Sequence, residues 1–221
     1  MKLSAIRQAP PSGAADALVV FLHGYGASGA DLMGLADLLR PVLPQALFVA
    51  PDAPFVCGRN PAGFEWFDLQ DADPGRRAAT VEASLEAVGG LLDTLLDETR
   101  IPASHTAFIG FSQGTMMALV AGLRRTHPLM GVVGFSGFLP DATRLTTTPR
   151  SRPPVCLVHG TADEVVPFEL GTWARDTLIG LGVAVDFHAS QGAAHTIAPD
   201  GLAFAARFLG KCAADGKGGK T

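Results

Sequence analysis

Cysteine, charge and long apolar runs are all scarce in this sequence of 221 residues, and each shortage excludes a class of protein. Three cysteines, Cys57, Cys156 and Cys212, are too few and too scattered for a disulfide framework or a zinc site. Cys156 falls in an apolar strand pattern and is expected to be a small core residue. Charged residues make up 17% of the chain and the formal net charge is -4, so there is no basic face for nucleic acid and no polybasic stretch for an acidic membrane. No stretch reaches the ~20 apolar residues of a membrane-spanning helix. The N-terminal segment Met1 to Pro10 lacks the apolar core of a signal peptide. Internal repeats and low-complexity domains are also absent. The expectation is a soluble cytoplasmic protein with free thiols and no stable membrane insertion.

Apolar residues, by contrast, reach 48%, which suits a parallel sheet covered by helices on both faces. A chain of this length can bury about 70% of its unfolded surface around one core. One domain over residues 1–210 is therefore expected, followed by a flexible tail, 211–221, rich in Lys, Gly and Ala. Buried strands are read at Ala17–Leu22, Ala46–Ala50, the run ending at Ile109, Gly131–Phe135 and Val155–Val158, with an alternating strand at Val183–His188. Helices are read at Asp31–Leu39, Arg77–Arg100, from Thr115 to about Arg124, Glu169–Gly180 and Ile197–Leu209. Val81, Leu85, Val88, Leu92 and Leu95 form the core-facing stripe of the longest helix. Gly89-Gly90 within it reads as a concession to close packing. Strand and helix alternate from end to end, which predicts a doubly wound, mostly parallel α/β sheet.

The chain is organised around Gly110-Phe111-Ser112-Gln113-Gly114, a G-x-S-x-G pattern set between a buried strand and an apolar helix. At such a turn the serine holds a strained backbone, and flanking glycines remove the Cβ atoms that would collide as strand passes into helix. Serine becomes a nucleophile only when a base takes its proton and a third group orients that base. On this kind of sheet the order is Ser, acid, His, which removes His23, His105, His127 and His159 and leaves His188 and His195. His195, in the small-residue loop Gly192-Ala193-Ala194-His195, is favoured over His188, which ends a strand pattern. For the acid, Asp163 is favoured over Glu164 because it comes first after the strand and has the shorter side chain. The backbone N–H of Gln113, directly after the nucleophile, and that of Tyr25 in the loop His23-Gly24-Tyr25-Gly26 would bind the oxyanion. Glycines 24, 26 and 29 also match a dinucleotide fingerprint, but the next strand ends in Pro51-Asp52-Ala53-Pro54, which fits a loop and not a ribose contact. No metal or organic cofactor is required by this chemistry.

The loop Pro54–Gly75 carries Phe55, Phe64, Trp66 and Phe67, which either pin the loop or meet substrate. Phe64, Trp66, Phe138 and Val166 are the candidate substrate-binding residues. Asp141–Pro154 reads as a surface loop.

These motifs together resemble the phospholipase/carboxylesterase family of α/β hydrolases, which includes bacterial carboxylesterases and acyl-protein thioesterases. The resemblance runs from about Val19 to Phe208. It rests on Phe21-Leu22-His23-Gly24-Tyr25-Gly26, Pro51-Asp52-Ala53-Pro54, Trp66-Phe67-Asp68, the serine pentapeptide, His159-Gly160-Thr161-Ala162-Asp163 with Val165-Val166-Pro167, and Gly192-Ala193-Ala194-His195. It implies an α/β-hydrolase fold, a Ser112-His195-Asp163 triad, oxyanion donors at Tyr25 and Gln113, small acyl esters as substrates and, by analogy, a homodimer. Phe138 stands where the family often has a tryptophan beside the acyl pocket. Thr115 replaces a usual glycine and Glu164 a usual proline. The expected activity is hydrolysis of short- to medium-chain carboxylic esters, extending to thioesters or lysophospholipids. The competing reading is a non-catalytic binding module on the same fold. A peptidase or lidded lipase is a third reading, for which the chain is short.

Overall fold

The computed structural model describes residues 1–140 and 149–218. Its strands are β1 (Ala5–Gln8), β2 (Ala17–Leu22), β3 (Ala46–Pro51), β4 (Phe55–Val56), β5 (Phe64–Glu65), β6 (Thr106–Phe111), β7 (Gly131–Phe135), β8 (Val155–Gly160) and β9 (Val185–Ser190). Its helices are α1 (Gly29–Met33), α2 (Leu35–Leu39), α3 (Pro74–Thr99), α4 (Gln113–Arg124), α5 (Phe168–Gly180) and α6 (Pro199–Gly218). Seven strands form one sheet in the order β1-β3-β2-β6-β7-β8-β9, parallel except for the antiparallel edge strand β1.

Alternation along β2 shows how the sequence builds two layers from one sheet. Leu18, Val20 and Leu22 join a core with residues of α3, α4 and α5, whereas Ala17, Val19 and Phe21 join a second core with α1, α2 and α6. Both faces are thereby covered, so every residue of β2, β7 and β8 is buried and these strands read as continuous apolar runs.

The chain leaves β2 to build β3 on one side and returns through α3 to build β6 on the other. That reversal opens a crevice at the carboxyl ends of β2 and β6, where open α/β sheets bind ligands. Register brings the strand ends level there: Leu22 pairs with Gly110, Phe111 with Phe135, and Gly160 with Ser190. The loops carrying Tyr25, Ser112, Asp163 and His195 all leave this rim.

Several boundaries differ from the sequence reading for local reasons. The helix expected at Asp31–Leu39 starts earlier and divides at Gly34, the C-cap of α1 and the N-cap of α2. The longest helix begins at Pro74, because Asp73 accepts hydrogen bonds from the Gly75 and Arg76 N–H groups at 2.7 and 3.3 Å. β1, β4 and β5 are too short to carry a hydrophobic period. The closing helix runs on to Gly218 and so includes most of the stretch whose composition marks a tail. Cys212 and Ala213 pack on the second core and hold it there. Of the loop read at Asp141–Pro154, residues 141–148 lie outside those described, and 149–154 form no helix or strand. Cys156 is fully buried, as expected.

Gly89 and Gly90 do not serve close packing, since a Cβ at either position would meet nothing within 4 Å. Gly114 is the opposite case: its Cβ would lie 1.8 Å from the Leu22 carbonyl oxygen. Gly89→Ala should raise stability by about 0.8–1 kcal/mol, the helix-propensity difference. Gly114→Ala should lower it by about 3 kcal/mol or more, as overpacking against backbone does at the severe end. Urea denaturation of the two variants checks both signs.

Candidate active site

Ser112 stands between β6 and α4 with φ 53° and ψ -117°, a conformation that costs an L-residue of order 1–3 kcal/mol. The surrounding backbone imposes it. A Cβ at Gly110 would come 2.4 Å from the Gly114 carbonyl group, and the Ser112 N–H is drawn to the Phe135 carbonyl at 2.9 Å. Ser112 is half-buried at the rim, and among the described residues its hydroxyl has no hydrogen-bond partner. Gly24 packs against it: a Cβ there would be 3.5 Å from Ser112 Cβ and 3.2 Å from the Phe111 ring.

Asp163 and His195, 32 residues apart in sequence, meet with His195 Nδ1 2.8 Å from Asp163 Oδ2. The Asp163 side chain is fully buried, while that of His195 is 19% exposed. Burial alone would push the carboxylate pKa up. The Val166 N–H at 2.8 Å, the His195 imidazole and the Val165 N–H at 2.9 Å outweigh it, and the net shift is downward. Asp163 therefore stays ionised and fixes the proton on His195 Nδ1, leaving Nε2 as the basic nitrogen. The ring of His195 packs on Phe111, the residue before the serine, with centroids 4.9 Å apart. His188 takes another place: its Nε2 is 2.8 Å from Asp200 and its ring stacks on Phe204. Glu164 is exposed.

Three supports of this rim were not singled out by sequence reasoning. His159, which chain order excludes as a base, is buried with its Nε2 2.8 Å from the Val166 carbonyl and 3.5 Å from Asp163 Oδ2. Both neighbours are acceptors, so Nε2 bears the hydrogen and braces the acid loop. His23 is likewise fully buried. Its Nε2 accepts from the Ala53 N–H at 3.0 Å, so Nδ1 donates to the Gly24 carbonyl at 2.7 Å. Burial lowers its pKa, against the opposite pull of the Gly24 carbonyl, Asp52 and Asp31, and the ring stays neutral.

The third support is the Gln113 side chain, which accepts from the Trp66 N–H at 2.9 Å and donates to the Phe67 carbonyl at 2.7 Å. The same short segment holds the loop of Tyr25. Phe64 accepts from Gly26 N–H at 2.9 Å and donates to the Ala27 carbonyl at 2.8 Å, and the Trp66 indole donates to the His23 carbonyl at 2.9 Å. Ser84 Oγ donates to the Trp66 carbonyl and ties the segment to α3. Phe64–Phe67 thus joins the two loops whose backbone N–H groups, at Tyr25 and Gln113, have no acceptor among the described residues. The neighbouring Cys57 thiol, together with burial and the nearby Glu65 carboxylate, raises the Tyr25 phenol pKa.

The aromatic loop accordingly divides by role. Trp66 is fully buried and its indole donates to the His23 carbonyl, which pins the loop. Phe64 and Phe138 are half-buried and Val166 is buried beside the acid loop. Thr115, where the family pattern has glycine, is accommodated: its hydroxyl donates within reach of the Gly110 and Phe135 carbonyls at 2.9 and 2.8 Å, and Gly137 leaves room for its Cβ. Among the described residues no group of three or more His, Cys, Asp or Glu is placed to hold a metal ion, and no helix is long and apolar enough to cross a membrane.

A family model described as phospholipase/carboxylesterase matches residues 5–213. The acyl-protein thioesterase 1 of Yarrowia lipolytica is 34% identical over 203 residues, covering 85% of this chain and 88% of that protein. Esterase YpfH of Escherichia coli is 28% identical over 202 residues, with 90% and 84% covered. The crystal structure of esterase PE8 superimposes with a TM-score of 0.90 at 43% identity, covering 96% of this chain and all of that one.

The depressed Asp163 pKa fixes a pH dependence. Its ionised form stabilises the fold fully above the ordinary carboxylate value of 3.8, and that contribution disappears as pH falls through the lower folded value. The melting temperature of Asp163→Asn should therefore lie below that of the parent by a constant margin from pH 5 to 8 and converge with it toward pH 3. Thermal melts across that range check the sign.

Proposed function

The chain belongs to the phospholipase/carboxylesterase family, and on that premise we propose that it is a serine hydrolase of carboxylic esters, with Ser112 as nucleophile, His195 as base and Asp163 as the orienting acid. The observation that carries this reading is the 2.8 Å contact between a buried Asp163 and His195, whose ring rests on the residue before the strained serine. In the mechanism, His195 Nε2 takes the Ser112 proton as Oγ attacks the acyl carbonyl. Rotation of the unpartnered hydroxyl toward the imidazole completes the relay, in line with catalytic hydrogen bonds that tighten only once substrate is bound. Asp163 stabilises the imidazolium without accepting its proton. The N–H groups of Tyr25 and Gln113 face the charge that develops on the carbonyl oxygen, and their being held by one segment makes them preorganised donors. Water then cleaves the acyl-enzyme by the same steps in reverse.

Phe64, Phe138 and Val166 are proposed to receive the acyl chain. The names of the thioesterase relatives support including thioesters in the substrate class, since loss of thiolate or alkoxide from esters of the same acid yields the same acyl-enzyme. A reducing, cytoplasmic setting belongs to the proposal, supported by three free cysteines.

p-Nitrophenyl butyrate should be hydrolysed and a fluorophosphonate should label Ser112, with both lost in Ser112→Ala. Labelling that persists in Ser112→Ala would reject the nucleophile, and a protein inert to both reagents would be the binding module. Gln113→Leu keeps the backbone N–H but loses the fork to Trp66 and Phe67. It should lower kcat at least about tenfold, toward the ~10²-fold loss of a whole oxyanion donor, with little change in KM. Steady-state kinetics on the same ester checks this split.

A further inference from the structure

A cavity of about 370 Å³ opens beside His195. Leu32, Phe111 and Ile197 give it apolar walls, His195 and His23 border it, and among the described residues Asp31 is the one acidic side chain in its lining, with no lysine or arginine there. Phe64, Phe138 and Val166, the acyl-side residues, take no part in it. Its relation to the imidazole decides what it is for. When an ester carbonyl sits at Ser112 with its oxygen toward Tyr25 and Gln113, the bond that breaks must point to the group that protonates the departing oxygen, which is His195. Space walled by that imidazole is space for the leaving group.

Asp31 is not free to swing away from it. Its Oδ2 accepts from the Ser28 N–H at 2.7 Å and from the Ser28 hydroxyl at 2.8 Å, closing a capping box at the start of α1. The next residue along, Gly29, is held by a second carboxylate outside the cavity lining, its N–H donating to Asp52 at 2.9 Å.

We infer that this cavity receives the alcohol or thiol portion of the substrate and that Asp31 sorts leaving groups by charge, favouring those with a cationic substituent and rejecting anionic ones. The inference rests on the Ser112 hydrolase reading. In the step concerned, Ser112 Oγ bonds to the acyl carbon, the carbon–oxygen or carbon–sulfur bond to the leaving group breaks, and the proton from Ser112 passes through His195 to the departing atom. The charge sensed by Asp31 is carried by the leaving group's substituent and takes no part in bond making. Because Asp31 is exposed, the discrimination is modest, about three- to tenfold per unit charge at low ionic strength, and is screened by salt.

Three acetate esters of nearly equal size test this: 3-(trimethylammonio)phenyl, 3-tert-butylphenyl and 3-sulfophenyl acetate, with each kcat/KM divided by the hydroxide rate constant to remove leaving-group reactivity. The expected order is cationic above neutral above anionic, compressed at 0.5 M NaCl, flattened in Asp31→Asn and reversed in Asp31→Lys. Asp37→Asn, an equal charge change on α2 whose carboxylate instead meets Gln8, should keep the parental order. Equal normalised rates in the parent, an order insensitive to salt, or the same flattening in Asp37→Asn would overturn the inference. Hydrolysis of all three esters that survives Ser112→Ala would instead overturn the hydrolase reading on which it rests.

Discussion

The passage from β6 into α4 leaves no room for a side chain at Gly110 or Gly114, and that steric constraint governs the rest of the rim. With the helix pressed onto the strand ends, Ser112 has no relaxed backbone conformation open to it and is held at positive φ. The same closeness puts Gln113 in the core at the start of α4, where an amide must find partners. It finds them in Trp66 and Phe67, and through Trp66 it reaches the carbonyl of His23. A tight turn thereby fixes the loop on the far side of the crevice as well.

Buried polar groups elsewhere at the rim follow the same logic. Asp163 is completely removed from solvent, yet its ionised form is favoured because two backbone N–H groups and an imidazole face it. His159 and His23 each have both neighbours and tautomer determined by the backbone around them. These interactions are worth little individually, but each left unmade would strand a polar group in the core at a cost of about 1–3 kcal/mol. Rigidity at the strand ends is thus built into folding itself, and a catalytic arrangement that needs preorganised donors inherits it.

Much of this was legible in the sequence, and the reasons are physical. Buried parallel strands have apolar runs on both faces, so β2, β7 and β8 announced themselves, and with them the doubly wound sheet. G-x-S-x-G carries its own steric meaning, and the position of Asp163 just past a strand end led to the residue that meets His195. What the sequence hid depends on contacts between distant segments. Gln113 was noticed for its backbone, because nothing local says that its side chain forks to residues 66 and 67. His159 and His23 were set aside by chain order, which excludes a base but is silent about a brace. The packing of Trp66, complete in the fold, depends on segments far from it in sequence. The two-residue strands β4 and β5 are shorter than any hydrophobic period, and the extension of α6 past Lys211 depends on Cys212 and Ala213 finding the second core.

On the proposed reading, one strained serine, the pair of buried Asp163 and half-buried His195, and two loops joined by Phe64–Phe67 converge on a single reacting carbon. The crystal structure of the protein after reaction with a phosphonofluoridate ester tests it most directly. Phosphorus is expected on Ser112 Oγ, with the phosphoryl oxygen within about 3 Å of the N–H groups of both Tyr25 and Gln113 and His195 Nε2 turned toward the serine oxygen with the Asp163 contact intact. Phosphorus on another residue, or a phosphoryl oxygen facing away from both N–H groups, would contradict it.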